Sequence, residues 1–131
     1  MNNPGAVSIW LGNCSSKDSL KCYVEITFDD NGSRIPSRFM KDFSIDFIDY
    51  NQDLLECTYI LHATTSLSQL LKNASYSEAI INELVEFYGD ELSEEYNVAI
   101  RLYDFEYEEI VKESILEGKK LSFIGSVMYE E

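Results

Sequence analysis

The sequence predicts an α+β fold, in which a mainly antiparallel sheet carries helices packed on one face. Strand-like segments rich in β-branched and aromatic residues lie near both ends of the chain and in its middle. Two Ser-x-x-Gln/Glu signatures of helix starts lie between these strands. The length of 131 residues is near the commonest domain size, so we expect residues 1–131 to form a single domain.

The chain begins with a predicted strand followed by a short helix. The run AVSIWLGN (6–13) is apolar and closes with Gly-Asn, which favours a strand. A helix over about 16–25 follows, because its apolar residues recur at helical spacing. We expect Ser15 to be its N-cap, since Asp18 follows three residues later and a carboxylate is favourable in a first helical turn.

The middle of the chain predicts a loop and two strands. The segment DDNGSRIPS (29–37) is rich in turn residues and predicts the longest loop. FSIDFIDY (43–50) starts with strand-like alternation, and LLECTYILHA (54–63) predicts a second strand. One face of this second strand holds Leu55, Cys57, Tyr59 and Leu61.

Two helices are expected after these strands. The capping box SLSQ (66–69) opens a short helix to about Lys72, and the box SYSE, which begins at Ser75, opens a longer one. Gly89 suits the left-handed position at which the longer helix ends. Its apolar stripe consists of Ile80, Ile81, Leu84, Val85 and Tyr88.

The last third of the chain predicts two more strands. They are YNVAIRLYDFEY (96–107) and KLSFIGSVMY (120–129). Residues 108–118 fit either a helical turn or the arms of a hairpin, and spacing does not separate the two.

The charge is strongly acidic and unevenly distributed. The formal net charge is −14 and the pI is about 4.3. Residues 1–41 hold five Lys/Arg and four Asp/Glu, which sum to +1, whereas residues 42–131 hold five and twenty, which sum to −15. Such an excess repels nucleic acid and anionic membranes and attracts basic proteins. We therefore expect a cationic protein partner, with no nucleic acid and no membrane.

The cysteines indicate free thiols and a reducing compartment. There are three of them, an odd number, at Cys14, Cys22 and Cys57. Their spacing does not suit zinc, and His62 is the only histidine. No secretion signal is visible, and the uncharged stretch 57–71 is too short and too polar to span a bilayer. These features predict a cytoplasmic location.

Two acidic sets are the candidate site residues. On a regular strand, Asp104, Glu106 and Glu108 would project to one face, where they could hold Mg²⁺ or simply be solvated. The segment KDFSIDFIDY (41–50) places carboxylates among apolar residues, as in a metal site, a charged rim or the wet side of a strand. Its acidic residues are Asp42, Asp46 and Asp49. No phosphate-binding loop, serine elbow or dinucleotide fingerprint occurs, so we expect no cofactor and no catalytic residues.

Several segments together resemble the immunity protein 22 family of bacterial polymorphic toxin systems. In order, they are VSIWLGN, IPSRFMKDFSIDFID, SYSEAIINEL, YNVAIRLYDFEY and FIGSVMY, and the resemblance runs from Val7 to about Tyr129. It implies a cytoplasmic antidote that binds and blocks a cognate toxin domain and has no enzymatic activity. It assigns no contact residues.

The resemblance and the charge lead to one main hypothesis and one alternative. The main hypothesis is a stoichiometric inhibitor whose acidic surface meets a basic toxin domain, with nucleases as a candidate class because their active sites accept phosphates. On this interpretation the two acidic sets belong to the rim of the contact, and Phe43, Ile45 and Phe47 pack inward or form an apolar hot spot. The alternative is a small acidic metal-binding protein or hydrolase that uses the carboxylates at 104, 106 and 108.

Overall fold

The computed structural model describes residues 2–129, which form a five-stranded antiparallel sheet, a small two-stranded hairpin and four α-helices. The strands are β1 (Asn2–Gly12), β2 (Thr27–Phe28), β3 (Arg34–Ile35), β4 (Leu55–Ser66), β5 (Glu91–Phe105), β6 (Glu113–Leu116) and β7 (Lys119–Met128). The helices are α1 (Lys17–Val24), α2 (Arg38–Asp42), α3 (Leu67–Leu71) and α4 (Ser77–Tyr88). Two 3₁₀ turns cover Phe47–Asp49 and Gln52–Leu54.

The large sheet has the order β4-β5-β1-β7-β6, with β1 at its centre. Every neighbouring pair of its strands is antiparallel. Trp10 on β1 lies opposite Ile100 of β5 on one side and Phe123 of β7 on the other. The predicted α+β class and the antiparallel sheet are therefore confirmed.

The helices cover both faces of the sheet, and the expectation that they pack on one face is wrong. Trp10 shares one buried cluster with side chains of α1 and α2. Its neighbours Ile9 and Leu11 share the other cluster with α3 and α4. The reason is visible in the central strands, where consecutive residues such as Ile9, Trp10 and Leu11 are all fully buried. A strand that is apolar at every position is buried on both faces, and each face then needs its own helical layer.

The first helix matches its predicted range but has a different N-cap. Ser16 takes this role, because its side chain accepts a hydrogen bond from the Ser19 amide at 3.1 Å. Ser15, the expected cap, instead bonds to the Glu117 carboxylate through its amide and hydroxyl. The contributions of these two adjacent serines to stability can therefore be compared directly.

Replacing Ser16 with alanine should lower the free energy of unfolding by about 1 kcal/mol, the usual value of a lost N-cap. The matched control is Ser15→Ala, which removes an exposed hydroxyl and should change stability by less than about 0.5 kcal/mol. Urea denaturation of both variants measures the difference. Equal losses would show that Ser16 contributes no more as a cap than Ser15 does on the surface.

The predicted strand over 43–50 is wrong. The chain leaves α2 through Ser44, which has a positive φ of 55°, and then forms the 3₁₀ turn. Asp46 accepts a hydrogen bond from the Ile48 amide at 3.2 Å, and Asn51 accepts one from Asp53 at 3.0 Å. Side chains that bond to the backbone two residues later favour turns over sheet ladders. The prediction that apolar residues here pack inward holds for Phe43 and Ile45, which are buried, and Phe47 is half-buried.

The two predicted capping boxes have different outcomes. Ser66 caps α3 as expected, with its hydroxyl 3.3 Å from the Gln69 amide. Ser75 does not cap α4; the N-cap is Tyr76, which has a left-handed backbone and no side-chain cap bond. Gly89 ends α4 with a positive φ of 77°, as predicted. Ile80 and Leu84 of the predicted stripe are fully buried, whereas Tyr88 at its end is exposed.

The undecided segment 108–118 contains a hairpin arm. β6 pairs with β7 through a two-residue turn at Glu117 and Gly118, both of which have positive φ. Positive φ at both central residues is typical of the turns that connect antiparallel strands.

Candidate functional site

Four of the six predicted site residues lie around two adjacent depressions at the C-terminal end of β5. Asp46, Asp49 and Glu108 line the first depression, which has a volume of about 80 Å³. Asp49 and Asp104 line the second, of about 220 Å³. Both depressions are smaller than typical small-molecule pockets, which have volumes of roughly 300–1,000 Å³. We call this surface, with Ile48 and Ile110 beside it, the acidic end.

The acidic end is assembled by hydrogen bonds between segments far apart in sequence. The Tyr107 hydroxyl donates to the Phe43 carbonyl and accepts from the Val111 amide at 2.9 Å. The Ser8 hydroxyl donates to the Phe105 carbonyl at 2.8 Å and accepts from the Tyr107 amide at 2.9 Å. These bonds fix the chain after β5 against the loop that carries Asp46 and Asp49.

The regular strand face predicted for the second acidic set is wrong. Asp104 has a positive φ of 57°, and β5 ends at Phe105, so period-2 alternation does not extend to Glu106 and Glu108. The Asp104 carboxylate accepts hydrogen bonds from the Gly5 amide at 2.9 Å and from the Tyr129 hydroxyl. These two bonds hold the pKa of Asp104 below its ordinary value, and the bond from Tyr129 contributes more than the bond from Gly5. Asp104 is therefore part of a bulge that joins β5 to the start of β1.

The two remaining predicted residues, Glu106 and Asp42, line neither depression. Glu106 is exposed and accepts a hydrogen bond from the Asn3 side chain at 2.8 Å. Asp42 accepts from the Tyr23 hydroxyl at 2.8 Å and from Arg38 at 3.2 Å, and its side chain is only 16% exposed. These contacts join α1 to α2 and indicate a structural role for Asp42.

Two exposed isoleucines are the residues of this surface that sequence reasoning missed. Ile48 is 88% exposed and Ile110 is 65% exposed. Ile110 lines the first depression and Ile48 the second. Isoleucine is usually buried, so an exposed pair among carboxylates has the composition of an interface with an apolar centre and a polar rim. The sequence signal for Ile110 was its place directly after the segment 104–109, in which four of six residues are acidic.

A second polar cluster lies on the sheet face that packs against α3 and α4. Its centre is Arg101, which is 2% exposed. The guanidinium donates to Thr58 Oγ1 at 2.8 Å and to Glu56 Oε1 at 3.3 Å. Glu56 also accepts from the Tyr103 hydroxyl at 3.0 Å and from the amide and hydroxyl of Ser75. The cluster therefore links β4, β5 and the loop before α4.

The ionisation of Glu56 follows from these partners. Partial burial opposes its charge, but the hydrogen bonds from Ser75 and Tyr103 and the charge of Arg101 together hold the pKa of Glu56 below its ordinary value. A buried guanidinium with a matched carboxylate and hydroxyl is typical of a structural ion pair. We assign the cluster to stability.

Within residues 2–129, no group of three His, Cys, Asp or Glu side chains is arranged to hold a metal ion. The helices of that same range include none that is long and apolar enough to cross a membrane.

Comparison with known proteins gives one finding. A family model described as Immunity protein 22 matches residues 7–130, nearly the whole chain. No curated protein and no solved structure is significantly similar to the chain.

Proposed function

The chain belongs to the immunity protein 22 family, and we propose that it neutralises a cognate bacterial toxin domain by binding it stoichiometrically through the acidic end. The observation that carries this proposal is the convergence of Asp46, Asp49 and Glu108 beside the exposed Ile48 and Ile110. We also propose that it acts in the cytoplasm without catalysis, as one domain over residues 1–131. Its three free thiols fit a reducing compartment.

The charge supports a basic partner surface. A net charge of −14 attracts a cationic protein over long range and speeds its encounter. Complementary charges also disfavour wrong partners, because juxtaposed like charges cost several kcal/mol. Nuclease toxins are the candidate class, since a cleft that accepts phosphates is itself cationic.

The exposed apolar side chains supply the binding affinity that the carboxylates do not. Exposed ion pairs contribute only about 0–1 kcal/mol each, so a rim of carboxylates alone gives speed and selectivity but little affinity. Interfaces draw most of their binding energy from a few well-packed anchors at their centre. Ile48 and Ile110 are suited to this role, because each is exposed in the free protein and lines one of the depressions.

The alternative function, a metal site or hydrolase on a strand face, requires an arrangement of carboxylates that the structure does not have. That alternative required Asp104, Glu106 and Glu108 to project in one direction. Asp104 is instead bonded to Gly5 and Tyr129, and Glu106 is bonded to Asn3.

Isothermal titration with the cognate toxin domain, to be sought among the products of neighbouring genes, tests the proposal. We expect a 1:1 complex and loss of toxin activity when one equivalent of the protein has been added. A non-cognate toxin domain of similar net charge is the control and should stay active. The proposal would be overturned if mixing released no heat of binding and the toxin kept its full activity in the presence of excess protein.

A further inference from the structure

One edge of the large sheet is unpaired. β4 is the outermost strand and pairs with β5 from Leu55, opposite Leu102, to Tyr59, opposite Val98. Apart from this pairing with β5, residues 55–59 make no backbone–backbone hydrogen bond to another segment within residues 2–129. Proteins usually protect such an edge with charges, proline or a covering segment. Residues 57–66 of β4 have no Asp, Glu, Lys, Arg or Pro.

The regular part of this edge is short and well defined. The pairing of β4 with β5 shifts register after Tyr59 and resumes at Thr64, so residues 60–63 form a bulge. A bulge ends regular pairing and turns the edge away. An added strand would therefore align with residues 55–59.

A groove of about 350 Å³ lies beside this stretch, between β4 and helix α1. Leu55, Cys57 and Tyr59, which lie on one face of β4, form its floor. Burial raises the pKa of the Cys57 thiol to about 12, so the thiol is neutral and adds to an apolar surface. The residues that α1 contributes are Lys17, Asp18, Leu20, Lys21 and Val24.

The charge of this groove is opposite in sign to that of the acidic end. Lys17 and Lys21 are exposed, stand one helical turn apart and outnumber Asp18. Glu56 lies within the same stretch of β4, but its carboxylate is bonded to Ser75 and Arg101 on the other face of the sheet. The groove can therefore accept a carboxylate although the whole chain carries −14.

We propose that an extended acidic segment of a partner protein adds to β4 along residues 55–59. Its backbone extends the sheet, its alternate apolar side chains enter the groove beside α1, and its carboxylate meets Lys17 or Lys21. Strand addition works in this way, with backbone hydrogen bonds giving affinity and side pockets giving specificity. The lining of this groove shares no residue with the two depressions of the acidic end. A second copy of this chain is the competing occupant of the edge.

The test is a titration of the full-length protein, followed by amide NMR shifts, with two capped peptides at millimolar concentration. The probe is Thr-Val-Thr-Glu-Thr-Val-Ser-Gly, in which Glu and the two Val residues lie on the same face of an extended chain. The comparison peptide carries Lys in place of Glu. We expect shifts confined to residues 55–59 and 17–24, with the Glu peptide binding about fivefold more tightly, the ratio that one exposed ion pair gives. Lys17→Glu/Lys21→Glu should reverse this preference, whereas the control Lys41→Glu/Lys72→Glu should keep it.

Two results would overturn this inference. One is the lack of localised shifts, or equal binding of the two peptides. The other is a dimer of the protein alone in sedimentation, with concentration-dependent shifts at 55–59, which would assign the edge to a second copy. No toxin enters this experiment, so its outcome is independent of the proposed inhibition.

Discussion

Replacing Leu84 with alanine should lower the free energy of unfolding by about 2–5 kcal/mol, the usual range for a large-to-small change in a core. Leu84 lies on α4, is fully buried and packs in the cluster between α4, α3 and the sheet. The loss combines the transfer of the removed atoms with the cavity that the close-packed neighbours leave unfilled.

The control for this change is Leu61→Ala on β4. Leu61 is 76% exposed, so the same chemical truncation should change stability by less than about 0.5 kcal/mol. Chemical denaturation of the two variants measures the difference. A neutral Leu84→Ala would mean that α4 does not pack on the sheet.

Replacing Glu56 with alanine should lower the free energy of unfolding by about 3 kcal/mol, the lower end of the range for breaking a buried ion pair. The change would leave the guanidinium of Arg101, whose side chain is 3% exposed, without its carboxylate partner. The value lies at the lower end because the Glu56 side chain is 35% exposed and water screens the pair. The matched control is Glu86→Ala on the exposed side of α4, which should be close to neutral.

A paired replacement separates the ion pair from the packing around it. Glu56→Met with Arg101→Met removes both charges and should recover much of the loss, because apolar side chains of similar volume replace buried ion pairs well. If the double variant is no more stable than Glu56→Ala, the loss comes from the hydrogen bonds of Ser75 and Tyr103 and not from the unpaired charge.

The lowered pKa of Glu56 also gives a pH dependence of stability. A carboxylate whose pKa is depressed in the folded state stabilises the protein above the pKa that it has in the unfolded chain, and this contribution disappears as the pH falls through the folded pKa. Glu56→Gln should therefore show a smaller loss of stability than the parent protein between neutral pH and acid. Urea midpoints measured across that range check the prediction.

Local signals in the sequence predicted most elements because neighbouring residues alone decide them. Ser66 and Gln69 mark the start of α3, and Gly89 marks the end of α4, through contacts within one turn. The failures come from competing hydrogen bonds, one within a turn and one between distant segments. Asp46 bonds to the backbone of its own turn, which overrides the strand-like alternation around it. The Ser75 hydroxyl, which was expected to cap α4, instead donates a hydrogen bond to the Glu56 carboxylate.

The candidate site could be predicted only in its parts. Both acidic sets were visible as sequence clusters, but nothing in their spacing places Asp49 beside Glu108. That proximity depends on the bond from Tyr107 to Phe43, which joins residues 64 positions apart. The exposure of Ile48 and Ile110 likewise follows from tertiary packing. In the sequence Ile48 follows Phe47 and Ile110 precedes Val111, so both isoleucines fit a buried position equally well.

The central claim is that the acidic end meets the toxin, and association kinetics test it most directly. The variant is Asp46→Asn/Asp49→Asn/Glu108→Gln, which removes three charges and keeps an acceptor at position 46 for the Ile48 amide. The control, Glu25→Gln/Glu78→Gln/Glu86→Gln, removes three exposed charges elsewhere. Stopped-flow mixing with the cognate toxin domain at low and high salt gives the rates.

At low salt the acidic-end variant should associate about ten- to a hundredfold more slowly than the control, as expected when electrostatic steering is lost. The difference should shrink at high salt, where the Debye length is only about 3 Å at 1 M. Equal association rates for the two variants at both salt concentrations would contradict the account.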